Sequence, residues 1–232
     1  MTLLTLCQDI LKETKSSTIP SLIIGNTDDV AQQILQAVKV SIRQLSREYQ
    51  WQELQKEYTF ASVVSQAEYD LPSDFDRMID DTFWNTDQNW NMIGATTPAS
   101  WRILKNSIVS FADIQEYYRI RNNKIIIHKT PTAIENYVFE YVSKNIVKSS
   151  TNVEQTGFLA DTDVPVIDEY ILMLDTTWRW LKNNGRAYQA EQAIANNALA
   201  ERVKTNGSRG KIGFPKPAIY NAQISTIKPI NF

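Results

Sequence analysis

One cysteine, one histidine and seven glycines in 232 residues leave several kinds of chemistry without their usual parts. A single thiol, Cys7, cannot form an intrachain disulfide, so the cysteine framework of small secreted domains is excluded and the chain reads as intracellular at assembly. With His128 as the sole histidine, a site built on several histidines cannot be assembled, and a Ser-His-Asp triad would rest on that one residue at the end of a strand-like run. The glycines fall into neither GxxxxGK[ST] nor GxGxxG, and HExxH and GxSxG are absent. No apolar run approaches the ~20 residues needed to span a bilayer, and Met1–Leu6 lacks the basic segment and cleavage site of a signal peptide, so no membrane partner is expected. A chain this long still buries roughly 70% of its unfolded surface, enough for a core without staples.

What is present is charge, unevenly placed. The formal net charge of -2 conceals eight acids against one base in residues 57–87 and eight bases against four acids in 88–148. Residues 149–206 hold five bases and eight acids, and 207–232 hold four bases and no acid. Such polarity bears on partners more than on fold, because acidic and basic surfaces of one chain can meet in an assembly.

Hydrophobic period divides the chain. Leu3, Leu6, Cys7, Ile10 and Leu11 share one helical face behind the N-cap candidate Thr2, which makes Cys7 a buried small hydrophobe rather than a reactive thiol. After the loop 16–25, Asn26-Thr27-Asp28-Asp29 opens a long helix carrying Val30, Ile34, Ala37, Val38, Ser41, Ile42, Leu45 and Tyr49 at helical spacing. From about Glu57 the period becomes two. Tyr117–Arg121 and Lys124–His128 flank Asn122-Asn123, a hairpin signal because Asn tolerates the positive φ of tight turns, and Tyr137–Val142 forms a further strand. Helix returns after Asp161-Thr162-Asp163, with Pro165 in its first turn and Ile167, Tyr170, Ile171, Leu174, Trp178 and Leu181 as its apolar stripe. Asn183-Asn184-Gly185-Arg186 breaks it, and an alanine-rich helix from Ala187 to Lys204 closes a helix pair, stopped by Asn206-Gly207. The expected fold is therefore α+β: an antiparallel helical bundle of two N-terminal helices and a C-terminal helix pair (1–56 plus 149–206), an inserted antiparallel β unit (57–148), and an extended basic tail (207–232).

The densest cluster of acids, Ala67-Glu68-Tyr69-Asp70-Leu71-Pro72-Ser73-Asp74-Phe75-Asp76-Arg77-Met78, reads as punctuation. Tyr69 and Leu71 have strand spacing, Pro72 ends the ladder, Ser73-Asp74 turns, and Phe75 re-enters the core. Asp74 and Asp76 resemble the start of a calcium loop, but Met78 occupies the fifth position and the glycine and bidentate Glu are missing, so no metal is assigned. Carboxylate pairs for a hydrolase abound, and sequence cannot measure their separation. Six tryptophans and the basic half of the β unit raise single-stranded nucleic-acid binding; Trp51 and Trp178 lie on helical apolar faces, whereas Trp84, Trp90 and Trp101 stay open.

The order of motifs carries a resemblance. Trp51-Gln52-Glu53-Leu54, the stretch Tyr69–Arg77, Tyr118-Arg119-Ile120 with Lys124–Ile127, Phe139–Lys144, and Phe158–Asp163 before a Trp-bearing helix pair look like the head-to-tail adaptor proteins of short-tailed bacteriophages, also called tail tubular or tail accessory proteins. It spans residues 3–206. It implies a non-enzymatic virion component without cofactor, assembled in the host cytoplasm as a ring, usually of twelve copies, beneath the portal. It also implies helices in a bundle, a tail or nozzle protein below, and double-stranded DNA crossing the central channel. Given a ring, closed heterologous contacts need complementary faces, for which Asp74, Asp76, Asp80 and Asp81 are candidates against the basic segment 88–148. A channel that releases DNA should be acidic or neutral, with Asp161 and Asp163 as candidates. The tail combines Arg209, Lys211, Lys216 and Lys228 with Ile212, Phe214, Ile219, Tyr220 and Phe232, and is expected to order in an acidic, partly apolar groove of the portal or an adjoining subunit. The alternative is a nucleic-acid- or carbohydrate-binding module using the β unit.

Overall fold

The computed structural model of the chain describes residues 1–94, 97–106 and 116–207. Within them the protein is mixed α and β, and two clusters of buried side chains organise it. The first belongs to the helices. In α1 (Leu3–Glu13) the stripe Leu3, Leu6, Cys7, Ile10 and Leu11 is fully buried, and Thr2 Oγ1 accepts from the Thr5 N–H. Helix α2 (Asp29–Glu48) buries Ala31, Ile34, Ala37, Val38, Ser41, Ile42 and Leu45, the spacing its sequence shows. Asp28 sits at its N-cap without a side-chain bond; Asn26 Oδ1 instead accepts from the Asp28 N–H. Trp51 closes the end of α2, its indole N–H donating to the Leu45 carbonyl at 2.7 Å. Helices α1, α2 and a later helix, α4 (Glu169–Asn183), meet in this cluster, and α4 also touches α5 (Gln189–Gly207).

The second cluster lies between two sheets. One contains β1 (Gln55–Ala61), β3 (Phe75–Met78), β4 (Trp84–Asn85), β5 (Trp90–Asn91) and β9 (Asn136–Ser143), ordered β1-β9-β4-β5 with β3 also on β9. The other contains β2 (Glu68–Asp70), β6 (Ile93–Gly94), β7 (Tyr117–Arg121) and β8 (Lys124–Ile127), ordered β2-β8-β7-β6. Alternation assigns the faces. Tyr58, Phe60, Tyr137, Phe139 and Tyr141 of the first sheet point inward, their register being Tyr58↔Phe139 and Phe60↔Tyr137. Tyr69, Tyr118, Ile125 and Ile127 of the second meet them, with Phe60 to Tyr69 ring centroids 4.9 Å apart and Phe83 to Tyr118 4.8 Å. The β unit is a small sandwich with an aromatic filling.

The hairpin β7–β8 turns on Asn122 and Asn123 at φ +52° and +57°, as its residues require. Four features differ from expectation. Strand β6 pairs with β7 in parallel, so the unit is not purely antiparallel. Helix α3 (Pro98–Asn106), begun by Thr97 accepting from the Ser100 N–H, lies inside the β unit and buries only Trp101. A small third sheet, β10 (Val147–Lys148), β11 (Glu154–Gln155) and β12 (Val164–Pro165), takes Pro165 into an edge strand opposite Val147 rather than into a helix; an edge position leaves no ladder bond needing its missing N–H. Helix α4 starts at Glu169, with Asp168 accepting from the Tyr170 and Ile171 N–H groups, so Tyr170 faces solvent instead of joining the apolar stripe.

Candidate interaction surfaces

Asp74 occupies a built site. Its Oδ2 accepts from Lys56 Nζ at 2.7 Å and Ser143 Oγ at 2.8 Å, its Oδ1 from Tyr141 Oη at 2.8 Å, and its backbone carbonyl from the Lys144 N–H. Lys56 also pairs with Glu154. Burial alone would raise the Asp74 carboxyl, but the bonds from Lys56, Tyr141 and Ser143 outweigh it and hold the group below its ordinary range. For Lys56, burial is likewise outweighed by Asp74 and Glu154, and its ammonium is raised. The Tyr141 phenol is pushed up to about 12 by burial and by Asp74. This knot ties β1, β9 and the turn before β3 to β11, at the junction of the two cores, so the Asp74 carboxylate is engaged within its own chain.

The other acids separate into two kinds. Asp76 pairs with Arg77, whose guanidinium also donates to the Ser46 and Tyr49 carbonyls at the end of α2. Asp80 and Asp81 are exposed in the turn between β3 and β4, near enough to Tyr118 that, after burial, they push its phenol up to about 12. Asp161 accepts from the Ile23 and Ile24 N–H groups at 2.9 and 2.7 Å, and Asp163, 1% exposed, from those of Leu159 and Ala160. Their carbonyls take the first free N–H groups of α1, Leu3 and Leu4. The Asp161 carboxylate thus holds the loop before α2, the Asp163 carboxylate its own loop, and the backbone carbonyls of the two residues hold the start of α1. The tail residues Arg209, Lys211, Ile212, Phe214, Lys216, Ile219, Tyr220, Lys228 and Phe232 lie outside the described residues.

One carboxylate pair escaped the sequence reading. Glu116 and Glu135 both reach Tyr137 Oη, at 3.2 and 3.0 Å, and Asn85 Nδ2 donates to Glu135 at 2.8 Å. Burial and then Glu135 raise the Glu116 carboxyl above its ordinary value, and the Tyr137 phenol is raised as well. Nineteen positions, including the β7–β8 hairpin, separate the two acids in sequence, and no spacing rule signals their meeting. Tyr137, Asn85 and Gln88 supply the donors of this cluster, which pins the start of β7 to the start of β9.

The tryptophans left open are also resolved. Trp101 is buried against the edge of His128. Trp84 and Trp90 are 39% and 37% exposed, but the register Trp84↔Asn91 and Asn85↔Trp90 puts them on opposite faces of their hairpin, so they form no stacking platform. A shallow cleft of about 500 Å³ between α2 and the β10–β11 region is lined by Lys39, Arg43, Ile146, Glu154, Phe158 and Leu159. Among the described residues no three His, Cys, Asp or Glu side chains gather to hold a metal ion, and no helix is long and apolar enough to cross a membrane. Cys7 is buried, and burial followed by the nearby Asp161 pushes its thiol up to about 12.

Compared with known proteins, the chain matches the family model of the SU10 adaptor protein over residues 1–213. No curated protein matches it.

Proposed function

The chain belongs to the SU10 adaptor protein family, a phage adaptor family, and from that premise we propose that it closes into a ring beneath the portal, joins capsid to tail, and lets the genome pass through its centre. A structural phage adaptor role follows from the family itself; the ring, its number of subunits and the channel are the proposal. The observation that carries it is the extent of the match, which takes in both cores and the junction between them. We divide the chain accordingly into a helical domain (1–56 with 149–206), the inserted β domain (57–148) and the tail (207–232). Asp74, Asp161 and Asp163 act as scaffold, and Asp80 and Asp81 remain as exposed candidates for contact between subunits.

Mixing the purified chain with portal rings and imaging by negative stain tests this reading: a second ring stacked on the portal is expected, and particles indistinguishable from portal alone would overturn it. The four bases and eight large apolar residues of the tail suit an extended segment that orders on the portal. Deleting 207–232 should leave the thermal unfolding of the free chain nearly unchanged, because both described cores are built from earlier residues, while abolishing attachment. A markedly lower unfolding temperature would make the tail part of the fold instead.

A further inference from the structure

The charge polarity of the sequence takes a different form in space. Segment 57–87 is acidic and 88–148 basic, yet strands of both segments interleave in both sheets. The outward face of the β1–β9 sheet presents Glu57 directly opposite Glu140, then Thr59 opposite Val138, with Trp84 beside Val138 on the same face. Glu57 and Glu140 are both exposed, and neither forms an ion pair among the described residues. Asp87, which accepts from the Asn136 N–H at the far end of β9, adds to this side. On the opposite side of the sandwich, the outward face of the β2-β8-β7 sheet presents Arg119 opposite Ile126 and Arg121 opposite Lys124, against Glu68 and Asp70 of β2. Helix α3 covers one end of that face through Trp101 and His128, and adds Arg102 and Lys105. Lys124 lies 3.5 Å from the largely exposed Asp70; Arg102, Arg119 and Arg121 have no ion pair among the described residues.

Two features make this more than a tally of charge. Like charges set directly across a strand pair are unfavourable, so the Glu57–Glu140 pair is a standing cost that a partner's cations would relieve. And the two faces are back to back: one acidic with an exposed tryptophan, the other basic with half-buried Ile126. Back-to-back complementary faces cannot satisfy each other within one molecule, nor in a two-fold dimer that pairs like with like. They fit a head-to-tail series of identical subunits.

Resting on the ring reading above, we propose that the β sandwiches of neighbouring subunits form a heterologous contact, the Glu57/Glu140 face of one copy against the Arg119/Arg121 face of the next. Trp84 is the apolar anchor of this contact and the charges set its register.

Two charge-reversed full-length chains test it, one carrying Glu57→Lys with Glu140→Lys, the other Arg119→Glu with Arg121→Glu. The first keeps a like-charged cross-strand pair and the second alters exposed or half-buried positions, so both should unfold within a few degrees of wild type. With portal present, and ring formation read by imaging and sedimentation, each variant alone should lose the ring. An equimolar mixture of the two should regain it, since one chain is then basic on both faces and the other acidic on both. If wild type forms rings and either variant alone does so equally well, or the mixture fails to recover, this contact is wrong and the ring stands. If wild type itself forms no ring on the portal, the ring reading fails and this contact with it.

Discussion

Single residues show where this chain spends its polar groups. Replacing Asp74 by Ala would take the acceptor from Tyr141 and Ser143 and leave Lys56 to Glu154 alone at a half-buried junction, and a loss of about 3 kcal/mol is expected in urea unfolding. Because the folded Asp74 carboxyl is held below its unfolded value near 3.8, its stabilisation is complete above that value and disappears as pH falls through the folded one. Glu116 works in the other direction. Its folded value is raised above 4.5, so its contribution is complete below 4.5 and is lost as pH rises through the folded value. Glu116→Gln should therefore gain stability relative to wild type as pH rises above 4.5, as paired urea titrations would show. The hydroxyl of Ser41 is fully buried in α2 without a hydrogen-bond partner among the described residues, and Ser41→Ala should stabilise by about 1 kcal/mol. The sequence marked Ser41 as a core-facing position by its spacing, but nothing in it could show that the hydroxyl would be left alone.

Elements reveal a gradient of dependence on tertiary contact. The hairpin β7–β8 is specified locally: with Asn122 and Asn123 at positive φ, Asn123→Val should cost about 1–2 kcal/mol. Helix α5 is at the other extreme, with Ala195 as its one buried residue among those described. Its amides should exchange with solvent well before those of α2, which buries seven side chains, and equal protection in the free chain would contradict this. The same gradient governs what could be read in advance. α1, α2, the hairpin and the break at Gly185 announce themselves because capping groups, period and turn residues agree within a few positions. The two-residue strands β4, β5, β6 and β10 to β12 are too short to show periodicity, and β4 and β6 depend further on β9 and β7, far along the chain. The surroundings of the acids are less legible: Asp74 and Asp161 are visible as residues, but the donors that engage them come from up to 138 positions away.

At the scale of the molecule, β9 is the seam. Tyr141 and Val142 are adjacent in the chain, yet Tyr141 fills the sandwich and Val142 the helical core. Val142→Ala should cost about 2 kcal/mol and leave a single calorimetric transition, since the strand it loosens serves both cores; two separated transitions would show them to be independent. The chain leaves the helical body at Gln55 and returns beside it, because Gln55 and Val142 are register partners. That arrangement imposes an order of events. In an unfolded chain α1 and α2 lie a great distance along the backbone from α4, and closing so long a loop is entropically unfavourable. Once β1 and β9 have paired, the detour through the sandwich collapses to a short link, and the body's two halves are delivered to one another. Refolding of the helices should thus wait for the insert, and a change that slows β1–β9 pairing should delay the recovery of helical signal by the same factor.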